Sequence, residues 1–233
     1  METKTIITDN WFTRAPDRWA LVAMLAIAVM LYGGCYLYFQ AVWDISATRH
    51  QVFVDHQWWR AWTTLIAHGD LAHLLANSFL FFLFAYTLLS HFSWWFFPMM
   101  GFFMGGVANL VVLLTLDDYV RLVGAAGLVH WMGAAWVTMY LLIENRHSFR
   151  LRFGSALFLM LMLFTPDTYK PQVSYLAHFV GFVLGVLSAW LYTRINRVRF
   201  AAAVKTETIV IPEWEFGPWD GSDPAEDEHT QVS

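Results

Sequence analysis

Polar side chains stand inside several apolar stretches of this chain, where they are costly and by default mark function. His73 and Asn77 lie four residues apart, so a helix would place both on one face. Two hydrogen-bond donors on one face could stabilise a developing oxyanion, or they could tie that helix to a neighbour. His178 stands three residues before Gly181 in a Gly-x-x-x-Gly pattern that ends at Gly185. A histidine on such a close-packing face could deliver its imidazole to the facing helix or donate to a buried carbonyl.

A run of small residues opens another apolar stretch. It consists of Gly124, Ala125, Ala126 and Gly127, and His130 follows one turn after Ala126 on the same helix face. Small residues let a neighbouring helix approach closely. The run therefore predicts a packing face, with His130 beside whatever the neighbouring helix presents.

The elements that must position these residues are membrane-spanning helices. Of the 233 residues, 58% are hydrophobic and 14% are charged, against about 45–50% and about 25% in soluble domains. A span needs about 20 mostly apolar residues. Six stretches are predicted to span, the fifth of them short: 19–42, 71–89, 94–116, 123–143, 151–164 and 173–192. The predicted fold class is an all-α membrane protein with six transmembrane helices.

The composition also excludes several classes of protein. The apolar content is too high for a disordered chain, and Cys35, the only cysteine, excludes a disulfide scaffold. A net charge of −4 without a basic stripe argues against nucleic acid as a partner. Haem or metal ligation by His73, His130 and His178 is a separate hypothesis, as is solute transport. The sequence contains no H-E-x-x-H zinc motif.

Lysine and arginine predict the orientation of the chain. Six spans put both termini on one side, which collects ten of these residues against four on the other, so both termini are predicted to be cytoplasmic. The chain then divides into a cytoplasmic N-terminal segment, a membrane domain and an acidic tail predicted to be disordered: 1–17, 18–195 and 196–233. Residues 206–211 alternate well enough for a short strand, but no partner strand is predicted for them.

The connection between the first two spans is too apolar for a plain hydrophilic loop. It covers residues 44–68 and includes Trp59 and Arg60. Aromatic rings at headgroup level with a charge at the edge are typical of a segment lying in the membrane interface.

Taken together, these residues resemble the rhomboid intramembrane serine proteases of bacteria. The resemblance covers about residues 18–195 and rests on four motifs in order: Trp59-Arg60, His68-x4-His73-x3-Asn77, Gly124-Ala125-Ala126-Gly127 in place of Gly-x-Ser-Gly, and Ala177-His178-x-x-Gly181-x-x-x-Gly185. It implies a six-helix bundle in the bacterial inner membrane. It also implies an enzyme that cleaves transmembrane segments of single-pass membrane proteins, with the lipid bilayer as its solvent and without a cofactor or metal.

The resemblance further implies a role for each site residue. A Ser–His dyad would act at position 126, with His178 as the general base. The oxyanion hole would comprise the side chains of His73 and Asn77 and the backbone N–H groups of Ala125 and Ala126. The supporting residues would be Trp59, Arg60, Gly124, Gly127, His130, Gly181 and Gly185. Because water must reach the site, the outer mouth near His68 and Asp70 is expected to be wet.

Ala126 departs from the family pattern at the central atom. An alanine methyl cannot attack a carbonyl, so the chain is predicted to bind substrate without cleaving it. One history is a parent protein with serine at 126 into which alanine was introduced. It is favoured because a scaffold without catalytic duty has no chemical need to hold His73, Asn77 and His178 together. The other history is a natural pseudoprotease that binds transmembrane clients.

His130 is the second departure. Many rhomboids have a tyrosine there, whose ring packs on the catalytic histidine. His130 would stack on His178 in the same way or relay a hydrogen bond. It also suggests the rhombosortase branch, which processes C-terminal anchors of bacterial surface proteins.

Overall fold

The computed structural model describes residues 2–164 and 175–211. Its helices and strands, in chain order, are β1 (Glu2–Asp9), α1 (Ala20–Phe39), α2 (Arg49–Phe53), α3 (Arg60–Thr63), α4 (Leu71–His91), α5 (Gly101–Leu113), α6 (Ala126–Ile143), α7 (Phe149–Phe164), α8 (Tyr175–Ile195), α9 (Arg197–Ala201) and β2 (Lys205–Ile211). A 3-10 turn, Trp11–Thr13, follows β1, and a π-helical turn, Trp95–Met100, leads into α5.

Five helical segments in the described part of the chain are long and apolar enough to cross a membrane: α1, α4, Trp95–Leu113, α6 and α8. The chain is therefore a mostly helical integral membrane protein. The remaining predicted span, 151–164, belongs to α7, whose 16 residues fall short of the about 20 that a full crossing needs. Because α7 ends where the described residues stop, six spans stay a prediction.

The third predicted span is not one continuous helix. Phe97 has extended backbone angles, φ −143° and ψ 130°, immediately before Pro98. The proline ring disfavours helical angles in the residue before it, and proline has no N–H to donate. The apolar run 94–116 therefore has a kink at Phe97, within the π-helical turn that leads into α5.

α6 is the central helix of the bundle and the most buried of the candidate spans. It packs against α4, α5, α7 and α8. A helix that is apolar on every side is expected to be buried in this way. Trp131 of α6 lies against Phe96, with 5.3 Å between ring centroids, and its Nε1 donates to Ser188 Oγ of α8 at 3.2 Å.

The N- and C-terminal segments pair with each other. β1 and β2 form a two-stranded antiparallel sheet in which Thr5 lies opposite Thr208, so both segments lie at one end of the bundle. The interpretation that residues 206–211 have no partner is wrong. The partner strand lies at the opposite end of the sequence, where a local pattern gives no sign of it. The tail predicted as disordered from residue 196 carries α9 and β2, and residues 212–233 lie outside the described residues.

A buried carboxylate holds this end of the bundle together. Glu144 follows α6, is 1% exposed, and accepts hydrogen bonds from Asn10 Nδ2 at 2.9 Å and from Arg146 Nη2 at 2.9 Å. Burial alone would raise the pKa of Glu144, but the hydrogen bonds from Arg146 and Asn10 outweigh it and lower that pKa to about 2. The N-terminal segment is thereby fixed to the connection between α6 and α7.

Candidate active site

The site predicted at residue 126 lies at the N-terminal end of α6, at the opposite end of this helix from the paired strands. Ala126 is the first helical residue, and Ala125 precedes it without a side-chain capping hydrogen bond. The first N–H groups of a helix have no partner within it and carry partial positive charge. An oxyanion placed against this helix end would therefore be stabilised.

The turn before α6 requires glycine. Gly124 has a φ of 118°, a conformation that residues with a side chain rarely adopt. A Cβ at this position would also lie 2.9 Å from Cε1 and 3.1 Å from Nε2 of His73. The His73 ring therefore lies directly against the backbone that leads into Ala125 and Ala126.

α4 carries both predicted side-chain donors. Asp70 caps this helix, its carboxylate accepting from the His73 N–H at 2.7 Å. Asn77 follows His73 by one turn, and its Nδ2 is buried without a hydrogen-bond partner among the described residues. Asn77 and Ala125 line one cavity of about 30 Å³, which is room for a water molecule. Buried amide donors are normally satisfied, and a catalytic role is one physical reason for an exception.

A stack of two imidazole rings connects α8 to the first turn of α6. The rings of His130 and His178 lie 3.8 Å apart between centroids, with 13° between their planes. His130 Nδ1–H donates to the carbonyl oxygen of Ala126 at 2.8 Å. This bond fixes the orientation of the His130 ring, and His130 in turn positions the buried His178 next to the turn that contains Ala126. The stack expected from the sequence is present.

Glycines bring the backbones of α6 and α8 into contact. A Cβ on Gly181 would overlap the carbonyl oxygen of Gly127. A Cβ on Gly185 would overlap the carbonyl oxygen of Trp131 and lie 2.9 Å from Cβ of Ala134. Only residues without a side chain allow such an approach, and it brings the α8 turn that carries His178 close to the N-terminal end of α6.

Trp59 and Arg60 do not reach the histidines. Arg60 Nη1 donates to the carbonyl oxygens of Asp44 and Ser46, each at 2.8 Å, and its Nε donates to Gln57 Oε1. The Trp59 side chain is 59% exposed. This motif therefore folds the segment 44–68 and supports the site only at a distance.

Near the C-terminal end of the segment 44–68, Thr64 is hydrogen-bonded to the turn before α6. Thr64, which is fully buried, donates from its hydroxyl to the carbonyl oxygen of Leu122 at 2.5 Å. Its own carbonyl accepts from the Gly124 N–H at 3.1 Å. Sequence analysis missed Thr64, because a threonine in a loop has no distinguishing spacing and its only signal was its place within 44–68.

His68 is part of the interior, and the expectation that the outer mouth near His68 and Asp70 is wet stays a prediction. It is 4% exposed, its Nδ1–H donates to the carbonyl oxygen of Ile66 at 3.1 Å, and its ring meets His73 edge-on at 5.2 Å between centroids. Burial lowers the pKa of His68 to about 4, so the ring is neutral at pH 7. Asp70, by contrast, is exposed.

The structure thus brings most of the predicted site residues together at one end of α6. They are His73, Asn77, Gly124, Ala125, Ala126, Gly127, His130, His178, Gly181 and Gly185. Within residues 2–164 and 175–211, no three His, Cys, Asp or Glu side chains are grouped so that they could hold a metal ion. The arrangement groups imidazole rings and hydrogen-bond donors around the first residue of a helix.

One of three comparisons with known proteins gives a match. The family model for the Rhomboid domain matches residues 55–195, from just before Trp59-Arg60 to the end of α8. Neither the curated proteins nor the solved structures include a match. Because the family model covers more than half of the chain and all four motifs, this protein belongs to the rhomboid family.

Proposed function

We propose that this chain has the site of a rhomboid intramembrane serine endopeptidase in which the nucleophile is replaced by Ala126. It binds transmembrane segments of single-pass membrane proteins and does not cleave them. The observation that carries this proposal is the connection from His178 through the stacked His130 to the Ala126 carbonyl. This connection supports the proposal because an imidazole, a group that can act as a general base, lies near a helix N-terminus, where negative charge is stabilised.

With serine at position 126, each residue has a chemical task. The hydroxyl would stand on the first turn of α6, and His178 would take its proton as the hydroxyl attacks the scissile carbonyl. The carbonyl oxygen would become negative and accept from the α6 backbone N–H groups, His73 and Asn77. His178 would then donate the proton to the leaving amine, and water would release the acyl group.

His130 supports the base in this scheme. Its Nδ1–H is directed at the Ala126 carbonyl, so its ring plane is fixed before any substrate arrives. When His178 takes a proton, the resulting imidazolium lies over the face of a π-system 3.8 Å away. The stack therefore limits how the His178 ring can turn before and after it takes the proton.

Alanine at 126 removes the attacking atom and leaves the remaining groups in place. In serine proteases, the residual reaction rate after loss of the nucleophile is orders of magnitude below that of the complete enzyme. The chain therefore holds a transmembrane segment at the site without forming an acyl-enzyme.

Labelling by a fluorophosphonate probe tests this proposal without knowledge of the substrate. We expect no labelling of the chain as it stands and clear labelling of Ala126→Ser in the same detergent. Adding His178→Ala to Ala126→Ser should abolish labelling. His91→Ala, which removes a histidine at the other end of α4, is the matched control and should leave labelling of Ala126→Ser unchanged. Labelling of the unaltered chain would identify a different nucleophile and refute the assignment of position 126.

The second candidate is a natural pseudoprotease, which binds transmembrane clients at a site that is not competent for cleavage even with serine at 126, and Ala126 itself favours it. If folded Ala126→Ser does not label, the site is not competent for acyl transfer, and binding is the function that remains. A photo-crosslinking transmembrane peptide would then label the unaltered chain and Ala126→Ser equally. If Ala126→Ser does label, its turnover of internal transmembrane segments against C-terminal membrane anchors separates a rhomboid protease from a rhombosortase-like enzyme.

A further inference from the structure

Two arginines lie over one tryptophan at the end of the bundle that carries the paired strands. Trp11 Nε1 donates to the carbonyl oxygen of His91 at 2.7 Å. The rings of Phe200 and Trp11 meet edge to face, with 5.0 Å between their centroids. These contacts hold the indole in place. Arg14 Cζ lies 4.2 Å from its centroid and Arg199 Cζ lies 4.7 Å from it, so the two guanidinium carbons are no more than about 9 Å apart.

Neither guanidinium is neutralised in the described part of the chain. Arg14 and Arg199 have no ion pair or hydrogen bond there. Three acidic side chains of this end are already engaged with other partners: Asp9 with Lys205 at 3.2 Å, Asp17 with the Trp19 N–H at 2.8 Å, and Glu144 with Arg146 at 2.9 Å. Two cationic groups within about 9 Å of each other raise the local positive potential, so this part of the surface is suited to attract an anion.

The depth of the pair identifies the source of that anion. His91, which holds the indole, is the last residue of α4, and Arg199 lies in α9 just after the end of α8. The ends of apolar spans mark the boundary between hydrocarbon and headgroups. Beside Arg199, the apolar side chains of Ile195 and Val198 are 71% and 75% exposed, as expected of residues that face lipid.

We propose that Arg14 and Arg199, which Trp11 positions, bind the phosphate of an acidic phospholipid headgroup. A guanidinium presents a planar fork of donors that matches phosphate oxygens, and the indole keeps both forks in position before the lipid arrives. The two arginines come from opposite ends of the sequence. A bound headgroup therefore also ties the N-terminal segment to α9.

Native mass spectrometry in a neutral detergent tests this site one lipid at a time. The probes are phosphatidylglycerol, phosphatidylcholine and inorganic phosphate, added to the full-length chain. We expect phosphatidylglycerol to bind in preference to phosphatidylcholine, and Arg14→Gln/Arg199→Gln to weaken phosphatidylglycerol binding about tenfold or more. Arg14→Lys/Arg199→Lys, which keeps both charges and loses the forks, should give an intermediate loss. Displacement of phosphatidylglycerol by inorganic phosphate would show that the phosphate group is what the site recognises.

A second pair of arginines supplies the matched control. Arg18 lies over Trp19 at 5.5 Å and Arg194 over Trp190 at 5.4 Å, each a single guanidinium over one indole. Arg18→Gln/Arg194→Gln removes the same charge and should change the affinity less than threefold. Equal losses in the two double variants, with both still folded by their melting temperatures, would mean general charge attraction and overturn the site. An unchanged affinity in Arg14→Gln/Arg199→Gln would overturn it as well, and would favour the carboxylates of the chain's own segment 213–228 as the ligand.

Discussion

Replacing Gly181 with alanine is expected to separate α6 from α8 at the level of the site. The new Cβ would overlap the Gly127 carbonyl oxygen and would lie 2.9 Å from its carbon and 3.1 Å from its Cα. Real Cβ contacts of this kind rarely fall below 3.4 Å, and the carbonyl oxygen is the closest atom, so the two backbones must move apart by about 1 Å. Both partners are backbone atoms of packed helices and cannot yield as a side-chain rotamer would. Overpacking of this kind typically costs about 1–3 kcal/mol.

The same substitution elsewhere provides the control. A Cβ added to Gly33 of α1 or to Gly154 of α7 would have no atom within 4 Å, so alanine at either position meets open space. In these helices alanine is favoured over glycine by up to about 1 kcal/mol. Gly33→Ala and Gly154→Ala should therefore be neutral or slightly stabilising, although all three changes have the same chemistry.

Two assays report the effect of Gly181→Ala. Thermal unfolding in detergent should give a lower midpoint than that of the unaltered chain, and fluorophosphonate labelling in the Ala126→Ser background should fall about 100-fold. The second magnitude follows because a displacement of the order of 1 Å can cost about 10²-fold in rate. If Gly181→Ala melts and labels like Gly154→Ala, the close backbone contact does not position His178, and the role assigned to the glycines of α8 is refuted.

Two further predictions concern histidines. His68 has a pKa of about 4 in the folded chain against 6.5 for the free side chain, so the unfolded chain binds more protons between these values. The contribution of His68 to the free energy of unfolding should therefore be fully present above pH 6.5 and fall by about 3 kcal/mol as the pH is lowered to about 4. His68→Asn, which can keep the donation to Ile66, should remove this dependence. If the melting temperature of His68→Asn has the same slope against pH as that of the unaltered chain, the prediction is contradicted. In the Ala126→Ser background, His130→Ala should lower the labelling rate up to about tenfold, because it removes a ring contact worth about 0.5–1.5 kcal/mol. His130→Tyr should retain most of the labelling rate, because the stack on His178 is kept. Equal rates for the two variants would show that the ring has no role.

Much of the site could be predicted from the sequence because helical geometry is local. Apolar length indicated the spans, and a spacing of four residues placed His73 and Asn77 on one face of α4 whatever they pack against. Glycines at 181 and 185 indicated the closely packed face of α8. Pro98 marked a place where a helix ends or kinks, although the sequence analysis extended the third span across it. The family follows from the order of these local motifs.

Only the tertiary structure decided the contacts between segments that are distant in the sequence. The pairing of β1 with β2, the hold of Thr64 on the turn before α6, and the two arginines over Trp11 join residues that no local pattern relates. Burial is decided in the same way: His68 belongs to the same motif as His73, yet packing makes it a neutral interior residue. Spacing along a helix sets which residues share a face. The environment of that face depends on which other elements pack against it, and that is a property of the whole chain.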